Sequence, residues 1–157
     1  MNAHRLPDSD YQSLAEFRYQ IRRFLRFSEE AARRAGVEPQ QHQLMLAIKG
    51  KPPGEEARIA YLAERLQIQH HSAVELVTRL ENKGLITRKR SSRDRREVFV
   101  KLTPRGERVL AELTLHTSAE LRSAAPALVS ILRKLAARGR HGVTSSWQRI
   151  PYAVVGE

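Results

Sequence analysis

Hydrophobic positions recur with a helical period almost from the start of the chain. Leu14, Phe17, Ile21, Phe24, Leu25, Ala31 and Ala32 fall close to every 3.6 residues, Asp8, Ser9 and Asp10 offer N-caps, and Gly36 a stop. A first helix is therefore predicted over 8–36. A second runs from Pro39 to about Ile48 and turns Leu44, Met45 and Ile48 inward, before the loop Gly50-Lys-Pro-Pro-Gly54. Ile59, Leu62, Ala63 and Leu66 then stand at i, i+3, i+4 and i+7, one face of a short helix. After a break at Gln67-Ile68-Gln69 the same spacing returns in Ala73, Leu76, Val77 and Leu80, and Gly84 can close that helix. From Ile86 to Thr103 the period changes to two, with Val98, Val100 and Leu102 on one side and Phe99 and Lys101 on the other. This is the pattern of a two-stranded hairpin. Thr103-Pro104 supplies an N-cap and a first-turn proline. Val109, Leu110, Leu113, Thr117, Leu121 and Ala124 continue as a helix of about 20 residues, which Pro126 is expected to break. A last helix, Pro126 to about Ala137, carries Leu128, Ile131, Leu132 and Leu135. Beyond it Gly139, Gly142, Ser145, Ser146 and Pro151 interrupt any periodicity, and Trp147 and Tyr152 belong to this irregular tail.

The order helix, turn, helix, hairpin gives a fold class: mainly α with a small β-hairpin wing, a winged helix-turn-helix flanked by N- and C-terminal dimerisation helices. The divisions are 8–36 for the first dimerisation helix, 37–103 for the winged region, 104–138 for the C-terminal helices and 139–157 for the tail. A helix-turn-helix places its second helix in a major groove, and a basic hairpin beside it reaches an adjacent groove. The two long terminal helices have little core to bury against within one such unit. Pairing with a second copy supplies one, so a C2 homodimer is expected, with recognition helices spaced to match a palindrome.

Charge sharpens this picture. The 157 residues carry a net charge of +11, which favours a polyanionic partner. Arg79, Lys83, Arg88, Lys89, Arg90, Arg93, Arg95, Arg96 and Lys101 meet only Glu81, Asp94 and Glu97 in the same stretch, so more than half the excess lies where the motif predicts DNA contact. With no cysteine, disulfides, thiolate metal sites and thiol redox switches are excluded. No apolar run approaches the ~18–20 residues that span a bilayer, and the N-terminus has no signal-peptide core, so no membrane association and a cytoplasmic location are expected.

The densest runs, Leu62-Ala-Glu-Arg-Leu66, His70-His-Ser-Ala-Val-Glu-Leu-Val-Thr-Arg-Leu-Glu-Asn-Lys-Gly-Leu-Ile86, and Asp94-Arg-Arg96 followed by Val100-Lys-Leu-Thr-Pro-Arg-Gly106, resemble in order and spacing the MarR family of bacterial transcriptional regulators. The likeness covers roughly Pro39 to Leu135. It implies a homodimer joined through the terminal helices, a wing in the minor groove, and release from DNA when a small, often aromatic, molecule binds between the dimer helices and the DNA-binding lobe. It also implies that His71, Ser72 and Glu75 reach base edges, and that Arg96 is the wing arginine paired with Asp94.

The residues themselves supply the chemistry. The predicted recognition helix exposes His71, Ser72, Glu75 and Thr78 opposite its apolar face, with His70 at its start and Arg79 toward its end. Glu75 departs from the basic or small polar residues frequent at its position in the family; a carboxylate accepts from cytosine N4 but is repelled by phosphate. At the hairpin tip Arg93, Arg95 and Arg96 crowd around Asp94, an arrangement that a polyanion stabilises, with one arginine entering a narrow minor groove and Asp94 orienting it. Arg88, Arg90, Lys89 and Lys101 on the strands are expected to meet phosphates. Gln40, Gln41 and His42 open a helix whose N-terminal amides also suit a phosphate. Tyr19, Arg22, Arg23 and Phe27 on the first helix, with His42 and Met45 on the second, form the expected pocket for a small aromatic or anionic effector.

Other chemistries find little support. His70 and His71 point about 100° apart on a helix, His42 and His116 are distant in sequence, and no metal or other cofactor is expected. There is no nucleophile elbow, phosphate-cradling glycine loop or paired-carboxylate constellation, hence no catalytic residue and no enzyme. The expected function is a sequence-specific, ligand-released transcriptional repressor acting on double-stranded DNA. The alternatives are a constitutive architectural DNA-binding protein without an effector and an RNA-binding winged helix.

Overall fold

The periodicities become seven elements in the computed structural model, which describes residues 7–90 and 98–138. In chain order these are α1 (Asp8–Arg34), α2 (Pro39–Lys49), α3 (Ile59–Leu66), α4 (His70–Asn82), β1 (Ile86–Arg90), β2 (Val98–Leu102) and α5 (Pro104–Arg138). Of the described residues, 22–90 and 98–124 form one compact unit, and 7–21 together with 125–138 the other. No helix among the described residues is long and apolar enough to cross a membrane.

Within 22–124 the core is made by the residues that share helical or strand faces. Leu44, Met45 and Ile48 of α2, Leu62 of α3, Leu76, Val77 and Leu80 of α4, Ile86, Val100 and Leu110 form one buried cluster with Val37, Ala57 and Leu85. Two of the helix junctions are tight reversals. At the end of α1, Gly36 has φ 74°, and the Val37 and Gly36 amides donate to the Ala32 and Arg33 carbonyls at 3.0 Å each. The α3–α4 turn uses the same geometry without glycine: Gln67 has φ 54°, and the Ile68 amide returns to the Ala63 carbonyl at 3.0 Å. This closes the helix-turn-helix over one short connection.

The hairpin is antiparallel in the register Ile86↔Leu102, Arg88↔Val100 and Arg90↔Val98. Val100 is fully buried, and its amide points away from β1 to the Ala57 carbonyl at 2.9 Å. Arg58 forms a bridge with Phe99 and stands over its ring at 5.8 Å. Thr103 then starts α5 as expected: its hydroxyl accepts the Gly106 amide at 3.1 Å and donates to the Gly84 carbonyl at 2.8 Å.

One sequence expectation is corrected. Pro126 does not separate two helices; it lies inside α5, which is a single helix of 35 residues. Proline removes one amide and crowds the preceding turn, but Ala124, Ala125 and Ala127 around it are strong helix formers, and the helix runs through. In the unit made by the chain ends, Ile131 is buried, while Tyr11, Leu14, Tyr19, Val129 and Leu132 remain exposed.

Candidate nucleic-acid interface

α4 buries Ala73, Leu76, Val77 and Leu80, and this fixes what its opposite face presents. His70, His71, Glu75, Thr78 and Arg79 are exposed there, and Ser72 is half-buried beside them. The structure therefore collects all six recognition-helix residues named from the sequence on one helix, five of them fully solvent-facing. Glu75 and Arg79 form an i,i+4 pair at 3.4 Å, both more than half exposed, a contact of little energetic weight that Arg79 can exchange for a phosphate. Thr78 is more constrained. Its hydroxyl donates to the Val74 carbonyl at 2.9 Å and accepts from Arg88 at 2.7 Å, so it has no proton left for a base.

Arg88 does not stand free as a phosphate ligand. Its guanidinium donates to Glu81 Oε2 at 2.7 Å, and its backbone amide donates to Glu81 Oε1 at 3.0 Å. Lys89, Arg90 and Lys101 are exposed on the strands. Lys83, though exposed, is engaged: its ammonium donates to the Gly36 carbonyl and to Gln41 Oε1, each at 3.0 Å, tying the ends of α1 and α4 to the start of α2. Arg93, Asp94, Arg95 and Arg96 lie outside the described residues.

The second group of phosphate residues is divided by burial. Gln40 is exposed, but Gln41 and His42 are each only 2% exposed, so their side chains are withdrawn from solvent. Gln41 is occupied internally, accepting the Glu38 amide at 3.1 Å as well as Lys83. His42 has neither ring nitrogen hydrogen-bonded, and burial lowers its pKa from the usual 6.5. An unpartnered buried imidazole is costly, and this one lines a cavity of about 150 Å³ with Leu25, Ser28, Glu29, Pro39, Gln40 and Gln43.

Within the unit 22–124, Phe27 and His42, both expected at the effector pocket, line different cavities. Met45 is fully buried in the core, so it lines no accessible wall. Phe27 lines a different cavity, of about 290 Å³, with Glu30, Ala31, Arg34, Ala35, Glu112, Leu113 and His116. Arg22 and Arg23 are exposed on α1, and Tyr19 belongs to the other compact unit. No group of three or more metal-ligating side chains occurs among the described residues.

Sequence reasoning missed Glu81. It counted there only as an acid opposing the basic stretch, whereas the structure makes it the partner of β1. The available signal was opposite charge at Glu81 and Arg88 across the chain reversal at Gly84. Its consequence depends on how α4 meets β1, which spacing alone does not report.

A short second helix with a solvent-facing reading edge, followed by a cationic antiparallel hairpin, defines a winged helix-turn-helix protein. Residues 35–97 match the MarR family model. A transcriptional regulatory protein for the hcr operon of Thauera aromatica is 32% identical over 96 residues, 61% of this chain and 56% of its own length. The chain spans about half the length of the curated relatives it matches. AbsC, a MarR family transcriptional regulator from Streptomyces coelicolor, shares the fold with a TM-score of 0.66 at 19% identity, covering 89% of this chain and 100% of that one. The transcriptional repressor CouR bound to a 23-mer DNA duplex is 26% identical with a TM-score of 0.58, covering 76% and 87%. CouR from Rhodococcus jostii RHA1 also has a structure bound to p-coumaroyl-CoA, with a TM-score of 0.59 at 17% identity, covering 77% of this chain and 87% of that one.

Proposed function

We propose that this protein is a dimeric transcriptional repressor that reads a palindromic operator in double-stranded DNA and is released by a small anionic or aromatic ligand. The observation that carries this reading is the outer face of α4. His70, His71, Glu75, Thr78 and Arg79 are exposed on a helix whose other face is committed to the core. Exposed Lys89, Arg90 and Lys101 supply salt-dependent attraction to phosphate, and the helix supplies discrimination between bases. Arg93, Arg95 and Arg96 extend this to the minor groove, with Asp94 orienting Arg96. The DNA complex of CouR supports the same use of this fold.

Dimerisation accounts for apolar surface that one copy leaves in water. Leu115 is 75% exposed and Leu121 43% exposed on α5, positions where a second copy offers cover. The effector reading rests on His42 and on CouR, which is seen with p-coumaroyl-CoA. A ligand with a hydrogen-bonding headgroup gives the imidazole the partner it lacks, and it releases DNA only by favouring a dimer geometry that cannot span both half-sites. The protein acts on DNA in the cytoplasm.

The test is fluorescence anisotropy with duplex DNA from the region upstream of the protein's own gene and with scrambled duplex, across a salt series. Preference for the upstream duplex that persists at physiological salt is expected. Equal and steeply salt-dependent affinity for both, with scrambled sites drawn from across the genome behaving alike, refutes sequence-specific control and leaves an architectural DNA-binding protein.

A further inference from the structure

Arg88 and Glu81 face each other across the junction between α4 and β1, and both are largely turned from solvent, with side chains 29% and 34% exposed. Four hydrogen bonds converge there. The Arg88 amide donates to Glu81 Oε1 at 3.0 Å and Nη1 to Glu81 Oε2 at 2.7 Å. Nη2 donates to Thr78 Oγ1 at 2.7 Å and to the Val74 carbonyl at 3.4 Å. Three successive turns of α4 thus hold a single residue of the hairpin.

The backbone register explains why the carboxylate sits there. Because the Val100 amide points outward to Ala57, the opposed pair Arg88↔Val100 is one that exchanges no ladder bonds. The Arg88 amide must then also point outward, along the free edge of β1. Glu81 Oε1 takes that amide, and the guanidinium neutralises the charge so introduced. Moving the guanidinium to a DNA phosphate would leave Glu81 a partly desolvated anion beside a polyanion. Arg88 is therefore a poor phosphate ligand and a good brace.

We infer that Arg88 is a positioning residue: through Glu81 and Thr78 it locks the first strand of the wing to the DNA-reading helix, so that the two reach their grooves together. The inference rests on the DNA-binding reading above and assigns to one of its basic residues a different task. Glu81 then favours DNA binding although its charge opposes it.

The two roles predict opposite results. Duplex binding is measured by anisotropy across a salt series for the full chain and for Glu81→Gln, Arg88→Lys, Arg88→Gln and the double variant Glu81→Gln/Arg88→Gln. Far-UV circular dichroism checks that each variant is folded. With a brace, Glu81→Gln weakens binding about tenfold even though a negative charge has been removed, and the double variant binds no worse than Arg88→Gln alone. Arg88→Lys weakens binding too, since a compact ammonium lacks the spread planar fork that places separate nitrogens on Glu81 and Thr78, and the salt slope of Arg88→Gln stays that of the wild type. Tighter binding by Glu81→Gln, near-normal affinity of Arg88→Lys, or a salt slope lowered by about 0.9 in Arg88→Gln overturns the inference and returns Arg88 to the phosphate contacts. A wild-type protein that ignores duplex DNA at low salt removes the DNA-binding reading itself, and the brace with it.

Discussion

Replacing Gly106 with alanine should loosen the attachment of α5 to the winged lobe more than any other single methyl group added at a described glycine. A Cβ at Gly106 would overlap the Leu85 carbonyl oxygen and lie 2.9 Å from its carbon, and both are backbone atoms that no side-chain rotation can clear. That carbonyl is already engaged, accepting the Thr103 amide at 3.0 Å, while the Gly106 amide is bound to the Thr103 hydroxyl at 3.1 Å. Relief requires the Leu85 backbone or the first turn of α5 to move by about 1 Å, in a region packed to crystal-like density. Overpacking of this kind costs about 1–3 kcal/mol, and the strained N-cap adds about 1 kcal/mol. The expected loss is about 3 kcal/mol, or roughly 10 °C in Tm for a chain of this length. Urea titration followed by circular dichroism measures it, at one fixed protein concentration because a dimer's stability depends on concentration. Gly54→Ala is a useful comparison, since a Cβ there meets nothing within 4 Å, so any penalty comes from its φ of 82° alone. A loss below about 1 kcal/mol for Gly106→Ala refutes the argument that this close approach fixes α5.

Other perturbations test separate parts of the structure. His42, held by burial below its ordinary pKa of 6.5, binds a proton more readily in the unfolded chain than in the folded one. Its contribution is therefore fully present above about pH 6.5 and is lost as pH falls toward the folded value, at up to about 1.4 kcal/mol per pH unit. The stability gap between wild type and His42→Gln should shift in the variant's favour from pH 7 to pH 5, and a gap independent of pH contradicts the assignment. Gln67→Gly should stabilise the chain by about 0.5–1 kcal/mol in the same urea assay, because it relieves a left-handed φ of 54° at the cost of one exposed hydrogen bond to the Glu64 carbonyl; destabilisation would show that this bond outweighs the strain. Arg79→Ala should lower the salt slope of DNA binding by about 0.9 and weaken all sequences alike, whereas an unchanged slope removes Arg79 from the phosphate contacts. Ser72→Ala should reduce discrimination between the upstream and scrambled duplexes more than it reduces affinity for scrambled DNA, and uniform weakening would count against base contact.

Much of this architecture is local and was therefore legible in the residues. Apolar spacing in Leu62–Leu66 and Ala73–Leu80, the change to period two at Val98–Leu102, and Thr103-Pro104 placed the helix-turn-helix, the hairpin and the start of α5, because periodicity and capping act within a few residues. The exposed face of α4 follows from the same periodicity, since naming the buried positions names the outer ones. Pro126 was misread because a single breaker was weighed against too little context; the alanines around it sustain the helix. Where charged and polar groups go is a different kind of question. Lys83, Arg88 and Lys89 look alike in the sequence, yet the first is spent on Gly36 and Gln41, the second on Glu81 and Thr78, and the third faces water. Gln41 and His42 likewise read as the opening of a helix suited to a phosphate, and their side chains are buried. A hydrogen bond depends on distances of a few tenths of an ångström between groups far apart in the chain, and only the packing of α2, α4 and β1 against one another sets those distances.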